Sequence, residues 1–307
     1  MAIVPTDVPM TYGRCEEAME ELSRTFQGVE KETLTRTAFG RKVSALKLGK
    51  GKRKLLCTAA HHANEWITAP VLLKFAEELA RAAEEGGDIR GVPAETILET
   101  ARIHLVPMVN PDGVDLVTGA IEPDSEEFNL AREIADDFPE VPFPQGWKAN
   151  LLGVDLNLQY PAGWLKAREI KFRQGYTKPA PRDYVGRAPL SQRETVALAR
   201  YTEAVDPELV LAFHTQGREI YWQFGDIPVP GARELGEEFA RVSGYTLADT
   251  PYASSFAGYK DWFIQDFGRP GFTIECGEGE NPLPVSQFGE IYRDNLGILV
   301  AAALGVE

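Results

Sequence analysis

Short apolar runs that stop abruptly at polar residues recur along this 307-residue chain, with helix-patterned stretches between them. "KLLCTAA" runs into "HHANE", "ARIHLVPMV" into "NPDG", "ELVLAF" into "HTQG" and "GFTI" into "ECGEG". Apolar runs that do not alternate suit strands buried on both faces, and such strands need helices covering both sides of a sheet. The expectation is one α/β domain over residues 1–307, with a mixed, mostly parallel central sheet flanked by helices. At 44% hydrophobic residues, the chain can fill a core of that size.

The helical stretches follow from spacing. Cys15, Ala18, Met19, Leu22 and Phe26 keep the helical period, which predicts an amphipathic helix over about 14–26 packed on the domain. Val71, Leu72, Phe75, Ala76 and Leu79 mark another that "EEGGD" ends, and a last helix is expected over roughly 284–304. "SQRETVALARYTEAV" opens with a capping box, Ser191 with Glu194. "KVSALKLG" and "KLLCTAA" flank the basic turn "KGKRK" and read as a hairpin or two adjacent strands. Asn110-Pro111-Asp112-Gly113 reads as a turn that stops a strand. Residues 117–150 are acidic and proline-bearing, an excursion from the core whose tract 122–140 is expected at the rim as a loop or short helix.

Charge narrows the partners. The 32 basic and 46 acidic residues give a net charge of −14, which repels nucleic acid and anionic membrane surfaces. No signal-peptide pattern opens the chain and no apolar run reaches the length of a membrane span. A soluble, cytoplasmic protein is expected, with a sporulation-associated or exported location as the alternative. Cys15, Cys57 and Cys276 are scattered, without metal-knuckle or redox-pair spacing.

The polar residues at the ends of the runs carry the chemistry. His62 and Glu65 stand three residues apart where a strand gives way to a helix, so both can turn toward one point, a pairing that suits zinc. Capping or ordinary burial is the alternative for such a short motif. Of the four histidines, His214 at a strand end is the better third ligand. His104 lies inside an apolar strand, and His61 in extended geometry faces away from His62. Cys276, beside Glu275, reads as a buried thiol that packs as a small apolar residue.

The ordered series "HHANEW", "VNPDG", "WKAN", "GVDLN", "AFHTQ", "GYKDW" and "FTIE", from about residue 11 to 302, resembles the zinc carboxypeptidase family. The resemblance implies one Zn2+ per chain held by His62, Glu65 and His214, with Glu275 as general base. It implies Lys148 at the position of the oxyanion-stabilising arginine and Asp155 as the carboxylate that orients His62. Asn157 would bind substrate. Asn64 replaces an arginine between the first two ligands, and Leu158 stands where the family's carboxylate-clamping arginine is expected. Lys260 would line the pocket for the residue after the cut bond, or else be a solvated lysine. Tyr252, with Tyr259 as the other choice, would be the mobile active-site tyrosine, one inserted residue being assumed.

These departures, with "HANEWITAPVLLKF" and "HTQGREIYW", look like the bacterial γ-D-glutamyl-diaminopimelate peptidase branch. That implies a muropeptide-like substrate and a catalytic domain without appended cell-wall-binding repeats. A zinc carboxypeptidase removing C-terminal residues, or a zinc deacylase acting on small N-acyl amino acids, is the alternative. A non-catalytic peptide-binding module would be expected to lose the general base or a ligand, and this chain keeps all four residues.

Overall fold

The computed structural model describes residues 2–305. Helix α1 (Tyr12–Thr25) starts at Thr11, whose hydroxyl accepts from the Arg14 N–H, and buries Cys15, Ala18, Met19 and Leu22. It leads into β1 (Val29–Arg36), β2 (Lys42–Leu48), β3 (Arg53–Ala59) and α2 (Thr68–Glu85), which ends on left-handed Gly86. A two-residue pair, β4 (Asp88–Ile89) with β5 (Val92–Pro93), precedes α3 (Ala94–Thr100) and β6 (Ala101–Val106). Then come α4 (Pro111–Val117), α5 (Glu126–Ala135), α6 (Trp164–Arg173), α7 (Arg193–Val205) and β7 (Leu209–His214). The chain closes with β8 (Glu219–Tyr221), α8 (Ala232–Ser243), β9 (Thr246–Ala248), α9 (Tyr259–Phe267), β10 (Gly271–Glu275) and α10 (Phe288–Leu304).

Eight strands form one sheet in the order β1-β2-β6-β3-β7-β10-β8-β9. Four of its seven pairings among the described residues are parallel, including the central run β6-β3-β7-β10. Alternation along each strand divides the core in two. Leu55, Cys57, Leu105, Leu211 and Ile274 face one layer, with the buried faces of α1, α2, α3, α8 and α10. Leu56, Val106, Val210 and Ala212 face the other, with α7 and α9. Removing one such leucine side chain costs about 2–5 kcal/mol. Among the described residues no helix is long and apolar enough to cross a membrane.

Three local expectations are corrected. β2 and β3 do not pair, because β6 lies between them. The glycines of "GKGKRK" serve a close passage over the start of β6, where a Cβ on Gly51 would lie 2.1 Å from the Thr100 carbonyl carbon. The hairpin is one unit earlier, β1 with β2, and the polar "VEKETLTR" of β1 carries little strand signal. Asn110 does not close a turn but caps α4, its Oδ1 accepting from the Gly113 N–H with Pro111 in the first turn. Ser191 is no capping box: its N–H and hydroxyl both donate to Gln159 Oε1, and α7 begins after Gln192. The acidic excursion folds as α5 and a loop, with a small core of Ile121, Ala131, Ala135 and Trp147.

Candidate metal centre and active-site cleft

Parallel neighbours end on the same edge of a sheet, which is where ligand crevices form in such folds. β3 runs out at Ala59 just before His61 and His62, β7 ends on His214, and β10 ends on Glu275. His214 and Glu275 are register partners. Glu65 follows in a single 3-10 turn, Ala63–Glu65, that leads to α2.

The cap of α4 stiffens this corner. Asn110 Nδ2 donates to the carbonyls of His61, Lys148 and Ala149, at 3.2, 3.3 and 2.9 Å. The Ala63 N–H donates to the Lys148 carbonyl at 3.0 Å. Gly113 lies so near that a Cβ there would come within 2.5 Å of the Ala149 carbonyl oxygen and 2.8 Å of Ala63 Cβ.

Glu65 is the hub. Its Oε1 lies 2.9 Å from His62 Nδ1 and 3.1 Å from Lys148 Nζ, and its Oε2 lies 2.8 Å from His214 Nδ1 and 3.2 Å from the Thr215 N–H. Donor atoms of His62, Glu65 and His214 all lie within 4.8 Å of one another. On the far side of the His62 ring, Nε2 meets Asp155 Oδ1 at 3.1 Å. His214 keeps its Nε2 buried and without a hydrogen-bond partner.

The electrostatics follow from this packing. Burial opposes the charged ring of His62, but Glu65 and Asp155 outweigh it and lift its pKa to about 9. Burial likewise opposes the Glu65 carboxylate, yet His62, Lys148 and His214 hold its pKa well below the usual value. Burial and the charge of Glu65 push Glu275 up to about 8, with Lys148 pulling the other way. A buried carboxylate facing two imidazole nitrogens calls for positive charge at their common point. Two nitrogens and an oxygen are the donor set zinc takes when one position stays open, so the residues fit a divalent cation.

The other predicted residues divide. Lys148, Asn64, Asn157, Asp155 and Lys260 all line a cleft of about 1020 Å³ together with Glu275 and the His–Glu–His group. Asn157 Oδ1 accepts from the Tyr259 N–H at 3.1 Å. Lys260 is buried, not solvated, and pairs with Asp261 Oδ1 at 2.7 Å and the Gln223 carbonyl. Leu158 packs in a cluster with Trp164, Ala167, Val185 and Ala257. Tyr252 stands apart: it is 65% exposed and packs edge-on against Phe256, while Ala253 and Ser254 reach the cleft wall. Tyr259, the other choice, is a core residue bonded to Thr202. His61 is buried against His214 and bonded to Tyr160, and His104 is bonded to Tyr201. Both lie outside the donor group.

The cleft also holds two basic residues outside the motifs of the sequence, Arg182 and Lys171. The signal for Arg182 is an Arg-Asp pair between prolines and a tyrosine in "KPAPRDY", and Lys171 lies in the last turn of α6.

A donor triad at the carboxyl ends of parallel strands, with a buried carboxylate beside it, defines a metal-dependent hydrolase site. The chain belongs to the zinc carboxypeptidase family, whose model matches residues 15–297, and it is a metallopeptidase. It is 41% identical over 290 residues to gamma-D-glutamyl-L-diamino acid endopeptidase 1 of Lysinibacillus sphaericus, covering 94% of this chain and 71% of that protein. It is 36% identical over 289 residues to the uncharacterized protein YqgT of Bacillus subtilis (strain 168), covering 92% and 74%. Its fold matches bovine thrombin-activatable fibrinolysis inhibitor with TM-score 0.73 at 17% identity over 97% of both chains. It also matches the murein-tripeptide amidase MpaA from Escherichia coli O157 with TM-score 0.55 at 20% identity, over 88% and 91%.

Proposed function

We propose that this protein hydrolyses the γ-D-glutamyl–diaminopimelate bond of peptidoglycan peptides, with one zinc ion held by His62, Glu65 and His214. The observation that carries the reading is the cleft's cation pattern. Leu158 sits in an apolar cluster beside Asn157 and offers no fork at that position to a terminal carboxylate, while the cations of the cleft, Lys148, Lys171, Arg182 and Lys260, stand on other segments. The likeness to a relative named for γ-D-glutamyl-diamino acid cleavage supports the same substrate class.

Bound zinc supplies Lewis-acid polarisation of the scissile carbonyl and of a water molecule. The chain's own groups do the rest. With a bound cation's charge beside it to offset the burial and the Glu65 charge that raise its pKa, a Glu275 carboxylate oxygen would take the proton from the attacking water and pass it to the leaving amine nitrogen. Lys148 Nζ, already at the carboxylate of Glu65, offers its charge to the oxygen on which negative charge develops. Asp155 holds the His62 ring, and Asn157, with Oδ1 committed to Tyr259, has its Nδ2 to offer a substrate carbonyl. Lys260 meets a carboxylate of the diamino acid.

The test is product analysis by mass spectrometry. L-alanyl-γ-D-glutamyl-diaminopimelate should release the diamino acid. Its α-linked L-glutamyl isomer and blocked dipeptides ending in phenylalanine or lysine should be left nearly intact. Faster trimming of the dipeptides would replace this reading with a carboxypeptidase one.

A further inference from the structure

Resting on that reading, we propose that Arg182 binds the free α-carboxylate of the γ-linked D-glutamyl residue, and so recognises the linkage itself. The guanidinium lines the cleft with its side chain 39% exposed. Its Nε donates to Asp183 Oδ2 at 2.6 Å, which aims the group and leaves the terminal pair of amino groups as a planar fork.

The mount is rigid. Asp183 takes Lys171 Nζ on its other oxygen at 2.5 Å, donates its backbone N–H to Asp155 Oδ2 at 3.2 Å, and sits in the left-handed region with φ +64°. Aspartate is one of the few non-glycine residues that enter that region readily, and the contacts to Lys171 and Asp155 hold it in place. Just before Arg182, the Pro181 carbonyl accepts from the N–H groups of Lys148 and Ala149, at 2.8 and 2.9 Å. Arg182 is thereby tied to the segment that sends Lys148 to the metal centre.

The chemistry of the linkage selects the ligand. A glutamyl residue joined through its γ-carboxyl keeps a free α-carboxylate on the acyl side of the scissile carbonyl, whereas an α-linked residue has spent that group in the peptide bond. A fork beside Lys148 meets an anion that only the γ-linked substrate offers. Lys260, on α9 and paired with Asp261, belongs to a different element and serves the leaving amino acid. The fork missing at Leu158 is thus supplied from another segment and for another carboxylate.

The experiment compares L-alanyl-γ-D-glutamyl-diaminopimelate with its D-isoglutaminyl counterpart, in which that carboxylate is an amide. On the free acid, Arg182→Gln should lower kcat/KM about 10- to 100-fold, mainly through KM, the scale of a charge-assisted hydrogen bond. The wild type should show a similar loss on the amide. Arg182→Gln should cut the amide as fast as the wild type does, which also reports intact folding, and Arg182→Lys should recover part of the loss on the acid. Equal losses for Arg182→Gln on both substrates, or none on either, would overturn the assignment. A wild-type enzyme that cannot cut the free acid overturns the underlying function, and this inference with it.

Discussion

Asp155 and Glu65 hold His62 from opposite edges of one ring: Oδ1 of the first lies 3.1 Å from Nε2, and Oε1 of the second 2.9 Å from Nδ1. Asp155 fixes the direction of the ring, and with a metal bound in the proposed site Nδ1, on the Glu65 side, would be the nitrogen presented to it while Asp155 keeps the proton on Nε2. Replacing Asp155 with Asn keeps an acceptor but removes its charge. Zinc affinity should fall about 10- to 100-fold, the usual cost of losing such a partner, as read by competition with a chelator. Unchanged affinity would mean that His62 is positioned by something else.

The donor set makes a sharp division among the four histidines. His62→Ala and His214→Ala should each lose most bound zinc and all hydrolysis. His104→Ala should keep both, since that ring is tied to Tyr201 on the sheet. His61→Ala should keep the metal although it removes the stack on His214. Elemental analysis of purified variants decides the matter, and full occupancy in His214→Ala would falsify the ligand set.

Glu275→Gln preserves the shape of the strand end and removes the group proposed to carry the proton. Zinc and substrate should still bind while turnover falls by at least about a hundredfold. Near-normal turnover would place the base elsewhere.

Glu194 supplies a test in stability. Buried near Asn150, its carboxyl is pushed up to about 7 from 4.5, with burial as the main cause. Below 4.5 both the folded and unfolded states hold the proton. Between 4.5 and 7 the unfolded chain releases it first, so the folded state binds more protons and stability falls as pH rises, levelling off above 7. The loss amounts to at most about 3 kcal/mol. Glu194→Gln should remove it, gaining melting temperature over the wild type in mildly alkaline buffer and not in acid. Parallel melting curves for the two proteins across that range would show that Glu194 does not titrate this way.

Much of this centre was legible because its residues close apolar runs. His214 and Glu275 each end a strand that reads as an apolar run, and His62 follows such a strand by three residues. Order along the chain then linked them through the resemblance. Pairing was less legible, since nothing in "KVSALKLG" says that β6 will slip between β2 and β3; that depends on the close passage of Gly51 over Thr100. Ser191 with Glu194 has the spacing of a cap, but burial claims the glutamate and Gln159 claims the serine. Arg182 carries no motif in the sequence, because the role proposed for it depends on contacts with Asp183 and on the tie of Pro181 to the segment of Lys148, which only the folded chain brings together.

The ladder between β7 and β10 has an evolutionary consequence. With Glu275 fixed opposite His214 in register, inserting one residue within β10 would turn the carboxylate to the opposite face and end the reaction at once. The groups proposed to read the substrate come instead from connecting segments, as Asn157 and Arg182 do, or from the start of a helix, as Lys260 does. A change in those segments could alter which peptide is read without moving the β7–β10 ladder.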